Sequence, residues 1–167
     1  MEQRALIELL HGKGAHANPI ACIEDVSAKI AGQRIKGFPH SIWQMVGHMN
    51  YWMDYELRRI AGEGPTYPDH AAESWPTEAA AGDEQEWKGV ITRFEELLGK
   101  LTNLAGAPAQ ELAREVAPTH PDHAKHSSTM LAVLWQTLVH NSYHVGQIAM
   151  LRRRLGTWPP RGGGDTW

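Results

Sequence analysis

The chain has 167 residues and a formal net charge of −3, with 42% hydrophobic and 21% charged residues. That balance fits one ordinary globular domain and gives no electrostatic reason to expect a nucleic-acid partner. No apolar run approaches the roughly 18 residues of a membrane span, and Met1-Glu2-Gln3-Arg4-Ala5-Leu6 lacks the apolar core of a signal peptide.

In chain order, the residues from Glu2 to His11 place Leu6, Leu9 and Leu10 on one helical side, and Gly12 and Gly14 end the stretch. Asn18 followed by Pro19 predicts an N-cap and a first helical position. The helix they open extends to about Ile30 and buries Ile20, Ile23, Val26 and Ile30. Cys22 is the single cysteine, which excludes an intrachain disulfide and a thiolate cage for zinc. It reads as a small buried apolar group rather than a nucleophile, and a reducing cytoplasm is the expected location.

After the break at Gly37-Phe38-Pro39, Ser41 predicts the cap of a long helix to about Ala61. Its apolar line is Ile42, Val46, Met49, Met53, Leu57 and Ile60. A loop rich in Pro, Gly, Ala and acidic residues spans 63–82, and Asp83 caps a third long helix. Trp87, Val90, Ile91, Phe94, Leu97, Leu98, Leu101 and Leu104 are its stripe. Residues 107–126 form a connection with a helical turn near Glu111, and Ser127 or Ser128 caps a last helix to about Arg154. Arg152, Arg153 and Arg154 suit that helix's dipole. Strand alternation and internal repeats are absent. The expected fold is all-α, a four-helix bundle with a short extra N-terminal helix, as one domain over residues 1–160 with a mobile tail at 161–167.

The ten histidines carry most of the chemical information. His140 and His144, four residues apart on the last helix, share one face with Cβ atoms about 6 Å apart. They lie on the seam Val133, Thr137, His140, His144, Ile148, Leu151 and Leu155, at the edge of the core. Two imidazoles there must find partners or cost about 1–3 kcal/mol per unsatisfied group. One shared metal ion satisfies both, and so do carbonyls or water; the H-x3-H spacing alone does not choose.

His48 shares a side of its helix with Ser41, Trp52 and Tyr55. It is either packed on a tryptophan or a third ligand facing the pair. Three imidazoles would leave a coordination position open, as catalytic sites do, and would suit zinc or nickel better than iron or manganese.

The remaining histidines give weaker signals. His120, His123 and His126 read as a solvated loop rather than a second metal site, with His120 able to lie over the mouth of the bundle. His40 reads as a packing or capping residue, and His11, His16 and His70 as surface residues. Trp43, Trp52 and Trp135 are core or pocket wall. Asp54 and Glu56 share the His48 helix, but sequence positions neither as a general base.

The segments that carry these histidines resemble the DinB/YfiT-like family of metal-dependent enzymes. Gly37-Phe38-Pro39-His40-Ser41-Ile42-Trp43-Gln44-Met45-Val46-Gly47-His48 is similar to that family's entry into its second helix, where a serine precedes the first metal ligand by seven positions. His140-Asn141-Ser142-Tyr143-His144-Val145-Gly146-Gln147-Ile148 is similar to its H-x3-H-x-G-Q-[IL] signature. Gly14-Ala15-His16 and Leu155-Gly156-Thr157-Trp158-Pro159-Pro160 resemble one bacterial subgroup.

The resemblance implies a four-helix bundle with a trihistidine site for zinc or nickel made by His48, His140 and His144, and often a homodimer. It also implies a small-molecule substrate and dependence on a low-molecular-weight thiol such as bacillithiol; a similar domain occurs in the mycothiol-dependent maleylpyruvate isomerase. One departure is Gly47, where relatives often carry a larger residue or Glu, which opens space beside the ligand or removes a carboxylate. The leading expectation is therefore a metal-dependent enzyme of thiol S-transferase or hydrolase type. The alternative is a non-catalytic metal- or ligand-binding module closed by a fourth protein ligand, with His120 the residue to watch. A plain helical interaction protein with incidental histidines is the third reading.

Overall fold

The computed structural model describes residues 2–121 and 128–163. Four helices form the bundle: α1 (Glu2–Leu10), α4 (Ile42–Ile60), α5 (Glu84–Ala105) and α7 (Met130–Arg154). Between them lie the one-turn helices α2 (Ala21–Glu24), α3 (Ala28–Ala31) and α6 (Ala109–Leu112), and a 3-10 turn at Ala71–Ser74. The expected all-α bundle is present. Its core joins Leu6 and Leu10 of α1, Met45, Val46, Met49 and Met53 of α4, Phe94, Leu97, Leu98 and Leu101 of α5, and Val133, Leu134, Ile148 and Leu151 of α7.

The caps follow local chemistry. Ser41 and Gln44 form a reciprocal capping box on α4, with both side-chain-to-backbone contacts at 3.2 Å. Asp83 accepts from the Glu86 amide at 2.8 Å to start α5. The cap of α7 is Thr129, whose hydroxyl accepts from the Ala132 amide at 3.2 Å. Ser128 is not the cap, because its carbonyl is taken by the Val116 amide at 2.7 Å. Ser127, His123 and His126 lie outside the described residues.

The helix expected from Asn18 to Ile30 is instead two single turns. Asn18 does accept from the Ile20 and Ala21 amides, at 2.8 and 3.2 Å. The chain then leaves helical geometry at Ser27, which is extended (φ −76°, ψ 157°) and caps α3. Tertiary contacts hold this break open. The Val26 carbonyl accepts from Trp87 Nε1 at 2.6 Å, and Asp25 pairs with Arg152 at 2.8 Å. Arg152 therefore turns inward rather than standing at the helix end as a dipole partner. It is buried and donates to the Cys22 carbonyl at 2.9 Å and to Thr157.

The 63–82 loop decides what lies beside α4. Gln44 Nε2 donates to the Pro76 carbonyl at 3.0 Å, and the Ser41 hydroxyl donates to the Ala79 carbonyl at 2.5 Å. A Cβ on Gly47 would meet Pro76 Cγ at 2.4 Å. The space expected beside Gly47 is thus filled: the missing side chain lets the loop lie directly against the helix.

Candidate metal centre

α4 and α7 cross so that His48 faces His140 and His144. His140 Nε2 lies 3.1 Å from His48 Nε2 and 3.2 Å from His144 Nε2. Ligand atoms of all three rings fall within 4.8 Å of one another. Metal–nitrogen bonds of about 2.0–2.1 Å in tetrahedral geometry would put neighbouring nitrogens about 3.3 Å apart, close to the two spacings from His140 Nε2, 3.1 and 3.2 Å. His48 and His144 are buried, at 6% and 5% exposure, and His140 is half-buried.

The far nitrogens of two rings are already committed. Ser74 Oγ donates to the Ala71 carbonyl at 2.7 Å, so it receives from His48 Nδ1–H at 3.0 Å, with the Ser74 carbonyl 3.2 Å from the same nitrogen. His144 Nδ1–H donates to Gln147 Oε1 at 2.7 Å. Both Nε2 atoms therefore present lone pairs toward His140 Nε2, which can supply at most one proton between them. A cation at the centre satisfies this donor set, so the residues present fit a divalent metal.

Burial, with His140 and His144 beside it, pushes the His48 pKa down to about 3. Burial and His144 push that of His140 down to about 4, and burial lowers that of His144. The rings are neutral near pH 7, the form a metal requires.

Trp75 holds the His48 ring in place. Its ring stacks on His48 at 3.8 Å and 9°, and on its other side it stacks on His40 at 3.6 Å and 11°. His48 is thus packed on a tryptophan and turned toward the cluster at once, and the stacking partner is Trp75 rather than Trp52, which meets it edge-on at 6.4 Å. His40 is a packing residue, and the capping falls to Ser41.

Beside the cluster is a cavity of about 280 Å³ lined by Trp52, Glu56, Tyr67, Gln136, Thr137 and His140. The His120 ring lies 4.8 Å from that of Tyr67, which puts it near this mouth, but it is not among the converging ligands. Trp43 is core, 6.1 Å from Trp87, and Trp135 is exposed. Asp54 points the other way and pairs with Arg93 of α5.

His11 and His16 are half-buried rather than surface residues. His11 bonds Thr102 at 3.1 Å, and His16 bonds Ser142 of α7 at 2.9 Å. His70 is exposed, as expected.

Ser74 and Trp75 carry no sequence signal beyond a tryptophan in a proline-rich loop. Gln147 is visible three residues after His144, one helical turn on, where its side chain can reach back to the ring.

A solved structure described as "YfiT from Bacillus subtilis is a probable metal-dependent hydrolase with an unusual four-helix bundle topology" matches with a TM-score of 0.61 and 20% identity, covering 92% of this chain and 87% of that one. At that identity the likeness concerns the fold. No curated protein matches the sequence. The family model for the DinB family matches residues 2–162, nearly the whole chain, so the protein belongs to the DinB family.

Proposed function

We propose that the protein is a metal-dependent enzyme whose ion, zinc or nickel, is held by His48, His140 and His144. The observation that supports this most is the tautomer arrangement. Ser74 and Gln147 occupy the outer nitrogens of two rings, and three inner nitrogens converge with a cavity alongside. A metal ion bound there supplies a Lewis acid that lowers the pKa of a thiol or water in its open position. The histidines hold and orient, and their Nδ1 contacts keep two of them from exchanging protons. Trp75 excludes water from one side of His48.

The reaction we favour is transfer of a low-molecular-weight thiol to an electrophile, or hydrolysis at the same site. The family resemblance favours the first, and the likeness to YfiT, itself described as a probable metal-dependent hydrolase, favours the second. Only three protein ligands converge among the described residues, which favours an open site over a closed binding module. The test is elemental analysis of untagged protein, followed by turnover of thiol–electrophile pairs and of activated esters with the zinc- and nickel-loaded forms. Stoichiometric metal with turnover of either class supports the reading. Metal without turnover of any pair supports the binding module instead.

We also propose that the protein is a homodimer. The outer face of α7 carries Trp135, Val139, Tyr143 and Met150 as an exposed stripe, with Val139 and Tyr143 at 61% and 64% exposure. Sedimentation equilibrium tests this, and a monomer at micromolar concentration would count against it. No helix among the described residues is long and apolar enough to cross a membrane.

A further inference from the structure

The cavity beside the three histidines has a second chemical end. Glu56 lines it, on the same helix as His48 and two turns further on, and is only 5% exposed. Arg59 Nη1 lies 3.0 Å from Oε2 and 3.4 Å from Oε1 of this carboxylate, so one guanidinium nitrogen serves both oxygens. Arg59 spends its Nε on the Ala117 carbonyl at 3.2 Å. An ionised carboxylate offers about four acceptor sites. Among the described residues Arg59 is its hydrogen-bond partner, so acceptor capacity remains on a carboxylate that belongs to the cavity lining. Trp52 and Tyr67 line the same space, their rings 5.6 Å apart and inclined by 50°.

We infer that Glu56, with the rings of Trp52 and Tyr67, is a subsite for the flat, N–H-bearing end of a small substrate, such as an amide or amidine, whose reacting group lies at the His48, His140 and His144 end. Burial raises the Glu56 pKa and the Arg59 guanidinium opposes that rise; the ionised carboxylate accepts and cannot donate, so it complements N–H groups and repels a carboxylate or phosphate. Arg59 already balances its charge, so the demand is for hydrogen-bond donors rather than for a full positive charge. The aromatic faces favour a planar group, as in aromatic-lined ligand sites. Tyr67, Gln136, Thr137 and His140 also bring polar atoms to the lining; the Thr137 hydroxyl is committed to the Val133 carbonyl at 2.9 Å, and Glu56 supplies the carboxylate. The location of the reacting group rests on the metal-enzyme reading, but the donor preference of Glu56 does not.

The experiment uses three isosteres on the metal-free full chain: benzamide, benzamidine and benzoate. Binding is read from NMR shifts of the Trp52 and Tyr67 rings. Benzamide and benzamidine are expected to bind, and benzoate about tenfold or more weaker, the equivalent of one charged hydrogen bond. Glu56→Gln should erase most of that preference. Because this change strands Arg59, Glu56→Gln combined with Arg59→Met removes both charges and should have the same effect. Equal binding of the three probes, a preference unchanged in both variants, or no binding of any probe at millimolar concentration would overturn the inference. If zinc fails to bind while the amide preference stands, the metal reading falls and the subsite survives.

Discussion

His144 is held by one neighbour, Gln147 Oε1, at 2.7 Å from Nδ1. That bond assigns the proton to Nδ1 and leaves Nε2 bare for coordination. Removing such a partner typically lowers metal affinity about 10–100-fold. Gln147→Ala should therefore weaken zinc binding by that order in a chelator competition, with the melting temperature of the metal-free protein unchanged. Gln147→Glu, which still accepts from Nδ1–H, should keep most of the affinity. Cys22 shows the reverse situation, a reactive group made inert. It is fully buried, and burial pushes its thiol pKa up to about 11. The thiolate is the reactive form, so an aromatic disulfide reagent at pH 8 should label the native protein negligibly and the guanidinium-unfolded chain fully.

At the scale of elements, the site depends on a loop lying flat on a helix. Gly47 is the contact point: any Cβ there would meet Pro76 Cγ at 2.4 Å. Pro76 immediately follows Ser74 and Trp75, the residues that fix the His48 ring. Gly47→Ala should push this loop outward and cost about 1–3 kcal/mol, the usual range for overpacking. It should also weaken metal binding, which a purely structural substitution far from the loop would not do; thermal melts with and without zinc separate the two effects. The same contact shows what could be read in advance. His140 and His144 are legible because an i,i+4 pair is a local geometric fact, and the α4 cap because Ser41 and Gln44 are three residues apart. The break at Ser27, the filling of space at Gly47 and the Trp75 stack depend on contacts between residues remote in sequence, such as Trp87 with Val26. Helical spacing contains no trace of them. Glu56 is visible in the sequence as a carboxylate near His48, but only packing shows that it faces the cavity while Asp54 faces Arg93.

For the whole molecule, the three histidines join α4 to α7 at the edge of the core, where the metal-free state faces lone pair against lone pair. An ion that binds this arrangement has no comparable site in the unfolded chain, where His48 and His140 are 92 residues apart. Binding to the native state alone stabilises it by about 2.7 kcal/mol when free metal is 100 times the dissociation constant. Zinc or nickel should therefore raise the melting temperature in a concentration-dependent way, and a chelator should reverse the gain. His48→Ala removes the ligand from α4 and leaves only the His140–His144 pair on a single helix. That variant should fold, since the core residues of all four helices are untouched, but its melting temperature should respond little to metal. If it gained as much from zinc as the native protein does, the ion would be bound elsewhere, and the crossing of α4 with α7 would serve packing alone.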